Sequence, residues 1–131
     1  MTIDNLKISI IGGGNLGRSV AEGFLKAGIP ATDLVVTRRR VHLLNDLAGK
    51  GVKVVAENIE AVREADFVII AVKPYQAVDV INEIRPALRP GQMVASLMTG
   101  ISLVQLKELL PAEVIPLRVM PNTAVALQES M

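Results

Sequence analysis

The sequence predicts an α/β fold with a doubly wound, mainly parallel sheet of about six strands and helices on both faces. Three observations support this prediction. Short apolar, β-branched runs alternate with amphipathic runs along the whole chain. The run FVIIAV at 67–72 is apolar throughout, which is typical of a central strand covered on both faces. A glycine-rich turn, GGGNLG, joins the first apolar run to the first amphipathic run.

The first part of the chain opens with a buried strand over 7–11, because these residues are apolar and largely β-branched. A helix is predicted over 15–27, where apolar residues recur at helical spacing and the Ala27–Gly28 pair is a plausible stop. The next elements are a strand, a short helix closed by Gly49 and a third strand, predicted over 34–37, 43–48 and 52–55.

The rest of the chain continues the alternation and ends its fourth helix at Pro86. Its helices are predicted over 59–64, 75–84 and 103–110, and its strands over 67–72, 93–96 and 114–119. Strands that alternate with helices through short links predict a parallel sheet in one domain, which we expect to span residues 1–131.

Composition excludes several classes of protein. Half of the 131 residues are apolar, which suits one domain with a real core. A net charge of +1 and an aromatic content of 2% do not favour a nucleic-acid partner. The sequence contains no cysteine, so disulfides and thiolate metal sites are excluded. The opening MTIDNLK lacks signal-peptide features and no apolar run approaches the roughly 20 residues of a membrane span, so we expect a cytoplasmic protein without a membrane partner.

The glycine turn has the G-x-G-x-x-G pattern of a dinucleotide site. Gly12 permits a tight turn, Gly14 permits the backbone to approach a pyrophosphate, and Gly17 permits the helix to pack close to the sheet. Asn15 and Leu16 would offer helix N-terminal N–H groups to the phosphates. The alternative is a glycine turn needed only for packing. Its place between a strand and a helix favours dinucleotide binding and a Rossmann-like fold.

A basic segment follows the second predicted strand. Enzymes that use NAD usually carry Asp or Glu there to bind the adenosine ribose, whereas this chain has Thr37, Arg38, Arg39 and Arg40. Guanidinium groups pair with a 2′-phosphate, so Arg38 and Arg39 predict a preference for NADPH over NADH, with Thr37 as a possible hydroxyl contact. The alternative is a solvated basic loop.

Other candidate residues also follow predicted strands, namely Lys73, Gly100 and Asn122. Ligands of open parallel sheets lie beyond the carboxyl ends of the strands, so these residues are expected to collect at one edge. Alternatives stay open, because Lys73–Pro74 could simply end a strand and Asn122 could be a turn residue after Pro121.

Four segments, IIGGGNLGRSVAEGFLKAGI, AVKPYQAVDVINEI, MTGISLVQL and RVMPNTAVAL, resemble pyrroline-5-carboxylate reductase in sequence and order. The resemblance covers essentially the whole chain, and RVMPNT is its most specific motif. It implies NADPH-dependent reduction of the cyclic imine 1-pyrroline-5-carboxylate to proline.

The resemblance assigns roles to single residues. It places Lys73, Asn122 and Thr123 at the reaction site, where the last two would border the imine. It implies contacts with the cofactor for Ile11, Gly12, Gly13, Gly14, Asn15, Leu16, Gly17, Thr37, Arg38, Arg39, Asn58, Ala71, Val72, Lys73, Pro74, Met98, Thr99 and Gly100. Two departures occur: Gly13 replaces a usual alanine, which should be harmless, and Met98 with Thr99 replaces smaller residues.

The family joins this type of domain to a C-terminal helical domain that dimerises and completes the substrate site. We expect this chain to lack that domain, to bind NADPH, and to reduce its small-molecule substrate, a cyclic imino acid, poorly or not at all alone. Oligomeric state stays open. Two other functions remain alternatives: a stand-alone NADP-binding or sensing module, and a related NADP-dependent dehydrogenase of small hydroxy acids.

Overall fold

A six-stranded parallel sheet forms the centre of the computed structural model, which describes residues 6–97 and 102–118. The strand order is β3-β2-β1-β4-β5-β6. The strands are β1 (Ile8–Ile11), β2 (Leu34–Thr37), β3 (Lys53–Val55), β4 (Phe67–Ile70), β5 (Met93–Ser96) and β6 (Ile115–Arg118). The order and the parallel pairing confirm the doubly wound, Rossmann-like fold predicted from the sequence.

Five α-helices connect these strands within the described residues. They are α1 (Asn15–Lys26), α2 (Asn45–Ala48), α3 (Asn58–Arg63), α4 (Ala77–Ile84) and α5 (Leu103–Leu109). Short 3₁₀ turns cover Ala31–Asp33, Val41–Leu44, Pro74–Gln76 and Arg85–Ala87. None of these helices combines the length and the apolar character needed to span a bilayer.

The observed boundaries differ from the predicted ones by small amounts. The strand predicted over 67–72 ends at Ile70, because the chain turns away after Ala71 donates its N–H to the Ile11 carbonyl oxygen at 2.8 Å. The helices predicted over 43–48 and 75–84 each begin with a 3₁₀ turn. The last predicted strand, 114–119, is observed over Ile115–Arg118, and residue 119 lies outside the described residues.

Helices cover both faces of the sheet, and alternation along β1 separates the two layers. Ile8 and Ile10 belong to a buried cluster with side chains of α1 and α2. Ile11 belongs to a second buried cluster with side chains of α3, α4 and α5. Successive side chains of a strand point to opposite faces, so one apolar run supplies both cores.

The side of the sheet to which successive strands are added changes between β1 and β4. The two strands pair in parallel from Ile8 against Phe67 to Ile11 against Ile70. The connections after β1 lead towards β3, and those after β4 lead towards β6. A crevice at the carboxyl ends of β1 and β4 is therefore the position where this architecture binds ligands.

An ion pair lies at the opposite, amino edge of the sheet. Lys7 Nζ lies 2.6 Å from Asp33 Oδ1, and the Lys7 N–H donates to Asp66 Oδ2 at 3.0 Å. The hydrogen bond to the Asp33 carboxylate raises the pKa of the Lys7 ammonium. Because this pKa is raised, the Lys7 ammonium contributes fully to the free energy of unfolding below the ordinary lysine pKa. That contribution disappears as pH rises through the raised pKa of Lys7. The pair is therefore intact at neutral pH.

Two side chains cap the C-terminal end of α3, near the same amino edge. Gln92 is buried, and its Nε2 donates to the carbonyl oxygens of Val62 at 2.8 Å and Ala65 at 2.6 Å. The Arg89 guanidinium donates to the carbonyl oxygens of Arg63 at 2.7 Å and Ala65 at 3.1 Å. The last carbonyls of a helix have few partners within it, and these side-chain bonds add to the bond that the Ala65 N–H donates to the Val62 carbonyl oxygen at 3.3 Å.

We expect Gln92→Leu to lower the free energy of unfolding by about 2 kcal/mol, because the two buried hydrogen bonds from Gln92 to the Val62 and Ala65 carbonyl oxygens would be lost. Urea denaturation followed by circular dichroism measures the change. Gln76→Leu is the matched control, since the exposed Gln76 side chain accepts one hydrogen bond, from the Lys73 N–H. Equal losses in both variants would contradict a capping role for Gln92.

Candidate functional site

The glycine turn after β1 leaves no room for side chains at two of its glycines. Gly12 has φ +101°, and a Cβ there would lie 2.9 Å from Val72 Cγ1 and 3.1 Å from the Ala71 carbonyl oxygen. A Cβ at Gly17 would lie 2.0 Å from the Gly12 carbonyl oxygen. The first glycine thus lets the turn pass close to the end of β4, and Gly17 lets α1 begin directly against the turn.

Gly14 differs from these two glycines, because a Cβ there would meet no atom within 4 Å. Gly14 is the N-cap of α1, with φ −75°, and no side chain caps this helix end. The exposed Asn15 and the half-buried Leu16 begin the helix, so N–H groups of its first turn point towards open space. Fold contacts therefore explain the glycines at 12 and 17, whereas no contact within the described residues requires a glycine at 14.

Hydrogen bonds from the glycine turn to β2 hold the turn in place. The Gly12 N–H donates to Thr37 Oγ1 at 3.1 Å, and the Gly13 N–H donates to the Thr37 carbonyl oxygen at 2.6 Å. Thr37 is 1% exposed. Its hydroxyl, which the sequence placed among the possible cofactor contacts, therefore braces the turn.

Arg38 extends from the end of β2 over the glycine turn. Its Nη1 donates to the Gly13 carbonyl oxygen at 3.0 Å, and its backbone N–H donates to the Val55 carbonyl oxygen at 3.0 Å. Arg38 is half-buried, whereas Arg39 and Arg40 are exposed. The structure thus brings the predicted phosphate-binding arginine and the predicted pyrophosphate turn into direct contact.

A second arginine, which the sequence analysis did not select, ties α1 to the segment after β2. Arg18 Nη1 donates to the Leu43 carbonyl oxygen at 2.8 Å, and Arg18 also forms an ion pair with Asp46. Leu44 lies beneath the turn, since a Cβ at Gly13 would approach its methyl carbons to 3.0 Å. Glycine at position 13 therefore permits this close packing. No local pattern joins residues 25 or more positions apart, so sequence reasoning could not find these contacts.

The residues after β4 form a tight turn beside the glycine turn. The Lys73 N–H donates to Gln76 Oε1 at 3.2 Å, and the Gln76 N–H donates to the Lys73 carbonyl oxygen at 2.9 Å. Ala71 and Val72 lie against Gly12. The Lys73 side chain is exposed rather than buried at a strand end, and Lys73 follows the carboxyl end of β4.

Asn58 is the first residue of α3 and is half-buried. Its Nδ2 donates to Glu83 Oε1 at 2.8 Å. The Arg38 N–H binds the carbonyl oxygen of Val55, the last residue of β3. Asn58 follows Val55 by three residues, so α3 begins close to the basic segment in the chain. The remaining candidates, Met98, Thr99, Gly100, Asn122 and Thr123, lie outside the described residues.

Comparison with known proteins agrees with this geometry. The profile of the family described as NADP oxidoreductase, coenzyme F420-dependent, matches residues 7–100. A curated relative, pyrroline-5-carboxylate reductase 3 of Danio rerio, is 33% identical over 125 residues, which are 95% of this chain and 43% of that protein.

Solved structures show the same resemblance. A pyrroline-5-carboxylate reductase from Coxiella burnetii has a TM-score of 0.81 and 28% identity, over 89% of this chain and 43% of that chain. The Plasmodium falciparum pyrroline carboxylate reductase, solved with NADP bound, has a TM-score of 0.77 and 25% identity, over 95% of this chain and 46% of that chain.

The chain spans less than half the length of these relatives. The resemblance to pyrroline-5-carboxylate reductases that the sequence motifs predicted is confirmed. With its family profile matched over most of its length, this chain belongs to the family described as NADP oxidoreductase, coenzyme F420-dependent.

Proposed function

We propose that this chain binds NADPH across the glycine turn and supplies the cofactor-binding half of an enzyme that reduces 1-pyrroline-5-carboxylate to proline. The observation that carries the proposal is the contact of Arg38 with Gly13, beside open space at Gly14. It combines a cation suited to a 2′-phosphate with a backbone suited to a pyrophosphate. The names of the curated relatives support the choice of substrate.

The residues present fit this cofactor. Gly14 leaves the space that a pyrophosphate would enter, and the first N–H groups of α1 would donate to its oxygens. Arg38 and Arg39 would hold the 2′-phosphate, and Asn58 would lie near the adenosine. When bound, the nicotinamide would supply a hydride to the electrophilic carbon of the protonated imine.

The chain's own contribution to the reaction is positioning. The turn after β4, which includes Lys73, stands beside the glycine turn and would line the nicotinamide side. We propose that Met98, Thr99 and Gly100 continue this wall and that Asn122 and Thr123 border the imine. Holding donor and acceptor carbons together needs no strong general base.

We further propose that residues 1–131 act as one dinucleotide-binding domain and that full turnover requires a helical substrate domain. This proposal rests on the resemblance and on the share of each relative that the chain covers. A cytoplasmic location and the lack of nucleic-acid and membrane partners stay predictions from the sequence.

Calorimetric titration with NADPH and with NADH, followed by an imine-reduction assay at saturating NADPH, tests the proposal. We expect NADPH to bind more tightly than NADH, and we expect slow or undetectable turnover by the isolated chain. Failure of NADPH to bind would sink the proposal. Rapid turnover would contradict the requirement for a second domain.

We expect Arg39→Gln to weaken NADPH binding by about tenfold and to leave NADH binding unchanged, because a hydrogen bond to a charged group contributes about 1.5 kcal/mol. Arg38→Gln should weaken NADPH binding further and NADH binding slightly, since Arg38 also braces Gly13. Calorimetry measures both affinities.

Arg85→Gln is the control for these variants. It removes the same charge from an exposed arginine at the end of α4, away from the glycine turn. A similar loss of NADPH affinity in this control would mean that net charge, and not the position of Arg38 and Arg39, determines the preference.

Two glycine substitutions should separate binding from folding. Gly14→Asp places a preferred N-cap residue in open space, so the free energy of unfolding should hold or rise, while the charge of the aspartate repels the pyrophosphate and abolishes NADPH binding.

Gly17→Ala should lower the free energy of unfolding by about 3 kcal/mol, because its Cβ would overlap the Gly12 carbonyl oxygen. Urea denaturation and calorimetry measure the two effects.

Gly14→Asn provides the uncharged comparison for Gly14→Asp, with nearly the same size and the same capping preference. Undiminished NADPH binding by both variants would exclude the space at Gly14 as the pyrophosphate site.

A further inference from the structure

The chain between β2 and α2 is bonded to the rest of the fold at both of its ends, and the exposed arginines lie between the two points of attachment. At the first end, the Arg38 N–H donates to the Val55 carbonyl oxygen and Arg38 Nη1 donates to the Gly13 carbonyl oxygen, each at 3.0 Å. Arg39 and Arg40 follow and are exposed. The order of their backbone therefore depends also on what holds the second end.

One side chain of α1 holds that second end. Arg18 Nη1 donates to the Leu43 carbonyl oxygen at 2.8 Å, and Arg18 Nη2 forms the ion pair with the Asp46 carboxylate. The Leu43 N–H donates in turn to the Arg40 carbonyl oxygen at 3.0 Å, within the 3₁₀ turn Val41–Leu44 that follows the arginines. The Arg18 guanidinium thus bonds both the turn and the short helix that come directly after the basic segment.

The backbone of Arg18 belongs to the helix that begins at the glycine turn. Its N–H donates to the Gly14 carbonyl oxygen at 2.9 Å. Leu44, which lies between the two residues that Arg18 bonds, is buried, and a Cβ at Gly13 would approach its methyl carbons to 3.0 Å. The ion pair and this packing contact therefore set the spacing between the start of α1 and the chain that follows the arginines.

We propose that the pair formed by Arg18 and Asp46 is a positioning device that strengthens the preference for NADPH over NADH. This inference rests on the proposed function, because the pair acts through the backbone that carries Arg39 and not through the cofactor. An arginine loses conformational freedom when it binds a phosphate, and a backbone that is already ordered lowers this entropic cost. NADH has no 2′-phosphate, so its binding does not benefit from this order.

The ratio of the dissociation constant for NADH to that for NADPH isolates the proposed effect. The two cofactors differ only in the 2′-phosphate, so a variant that merely weakens the fold or the start of α1 lowers both affinities and leaves the ratio unchanged. Loss of positioning lowers the affinity for NADPH alone and decreases the ratio. Calorimetry measures both constants, and circular dichroism verifies that each variant is folded.

Asp46→Ala separates positioning from simple electrostatics, because the two predict opposite changes. Removal of a carboxylate near the basic segment makes the local potential more positive, which by itself favours the 2′-phosphate and raises the ratio. Loss of the ion pair should instead decrease the ratio by about threefold, the size typical of an exposed pair. An unchanged or raised ratio in Asp46→Ala, with NADPH still bound more tightly by the unmodified chain, would overturn this inference and leave the proposed function standing.

Arg18→Gln and the double variant test whether the two side chains act together. Arg18→Gln removes the ion pair and the bond to the Leu43 carbonyl, so it should decrease the ratio by about threefold or more. Adding Asp46→Ala to Arg18→Gln should decrease the ratio no further, since the partner is already lost. Additive decreases would contradict a shared positioning role.

Lys53→Gln is the control, because it removes one positive charge and one ion pair at the amino end of β3, where Lys53 Nζ lies 3.7 Å from Glu60 Oε1. The ratio should stay unchanged in this variant. A decrease equal to that of Arg18→Gln would overturn the inference in favour of an effect of net charge. Failure of the unmodified chain to bind NADPH would overturn the proposed function and this inference with it.

Discussion

The close approach of α1 to the glycine turn is the contact on which the rest of the site depends. Gly17 lies so near the Gly12 carbonyl oxygen that no other residue fits without displacement. This approach places the helix N-terminus directly beyond the end of β1, where its N–H groups face the crevice. Thr37 then fixes the turn from β2, so three consecutive elements of the chain converge on one backbone segment.

The two edges of the sheet use polar groups differently. At the amino edge, Gln92 and Arg89 satisfy the C-terminal carbonyls of α3, and Lys7 pairs with Asp33. At the carboxyl edge, the N-cap of α1 carries no side-chain partner, and Arg39 is exposed. The carboxyl edge thus combines side chains that brace the fold, Thr37 and Arg38, with an uncapped helix end and an exposed arginine.

The family match and the geometry of the candidate site support the same interpretation. The family profile covers residues 7–100, which include every element from β1 to β5. The same residues form the crevice, the basic segment and the turn after β4. Pairing of Arg18 with Asp46 adds a tie between α1 and the segment after β2, which links the helix that follows the glycine turn to the chain that follows the basic segment. Such a tie suits a site whose task is to position a cofactor.

The sequence by itself determined the fold class, the glycine turn and the basic segment, because each of these depends on residues that are close neighbours in the chain. Spacing of apolar residues sets the period of strands and helices, and it placed the strands over Leu34–Thr37 and Met93–Ser96 at their observed bounds. Only the tertiary structure decided which polar groups bind other parts of the fold and which stay exposed. The Thr37 hydroxyl binds the glycine turn, and Gln92 caps a helix whose bonded carbonyl is 30 residues away in the chain. Tyr75 stays exposed. These outcomes depend on which distant segments pack together, and local sequence patterns do not contain that information.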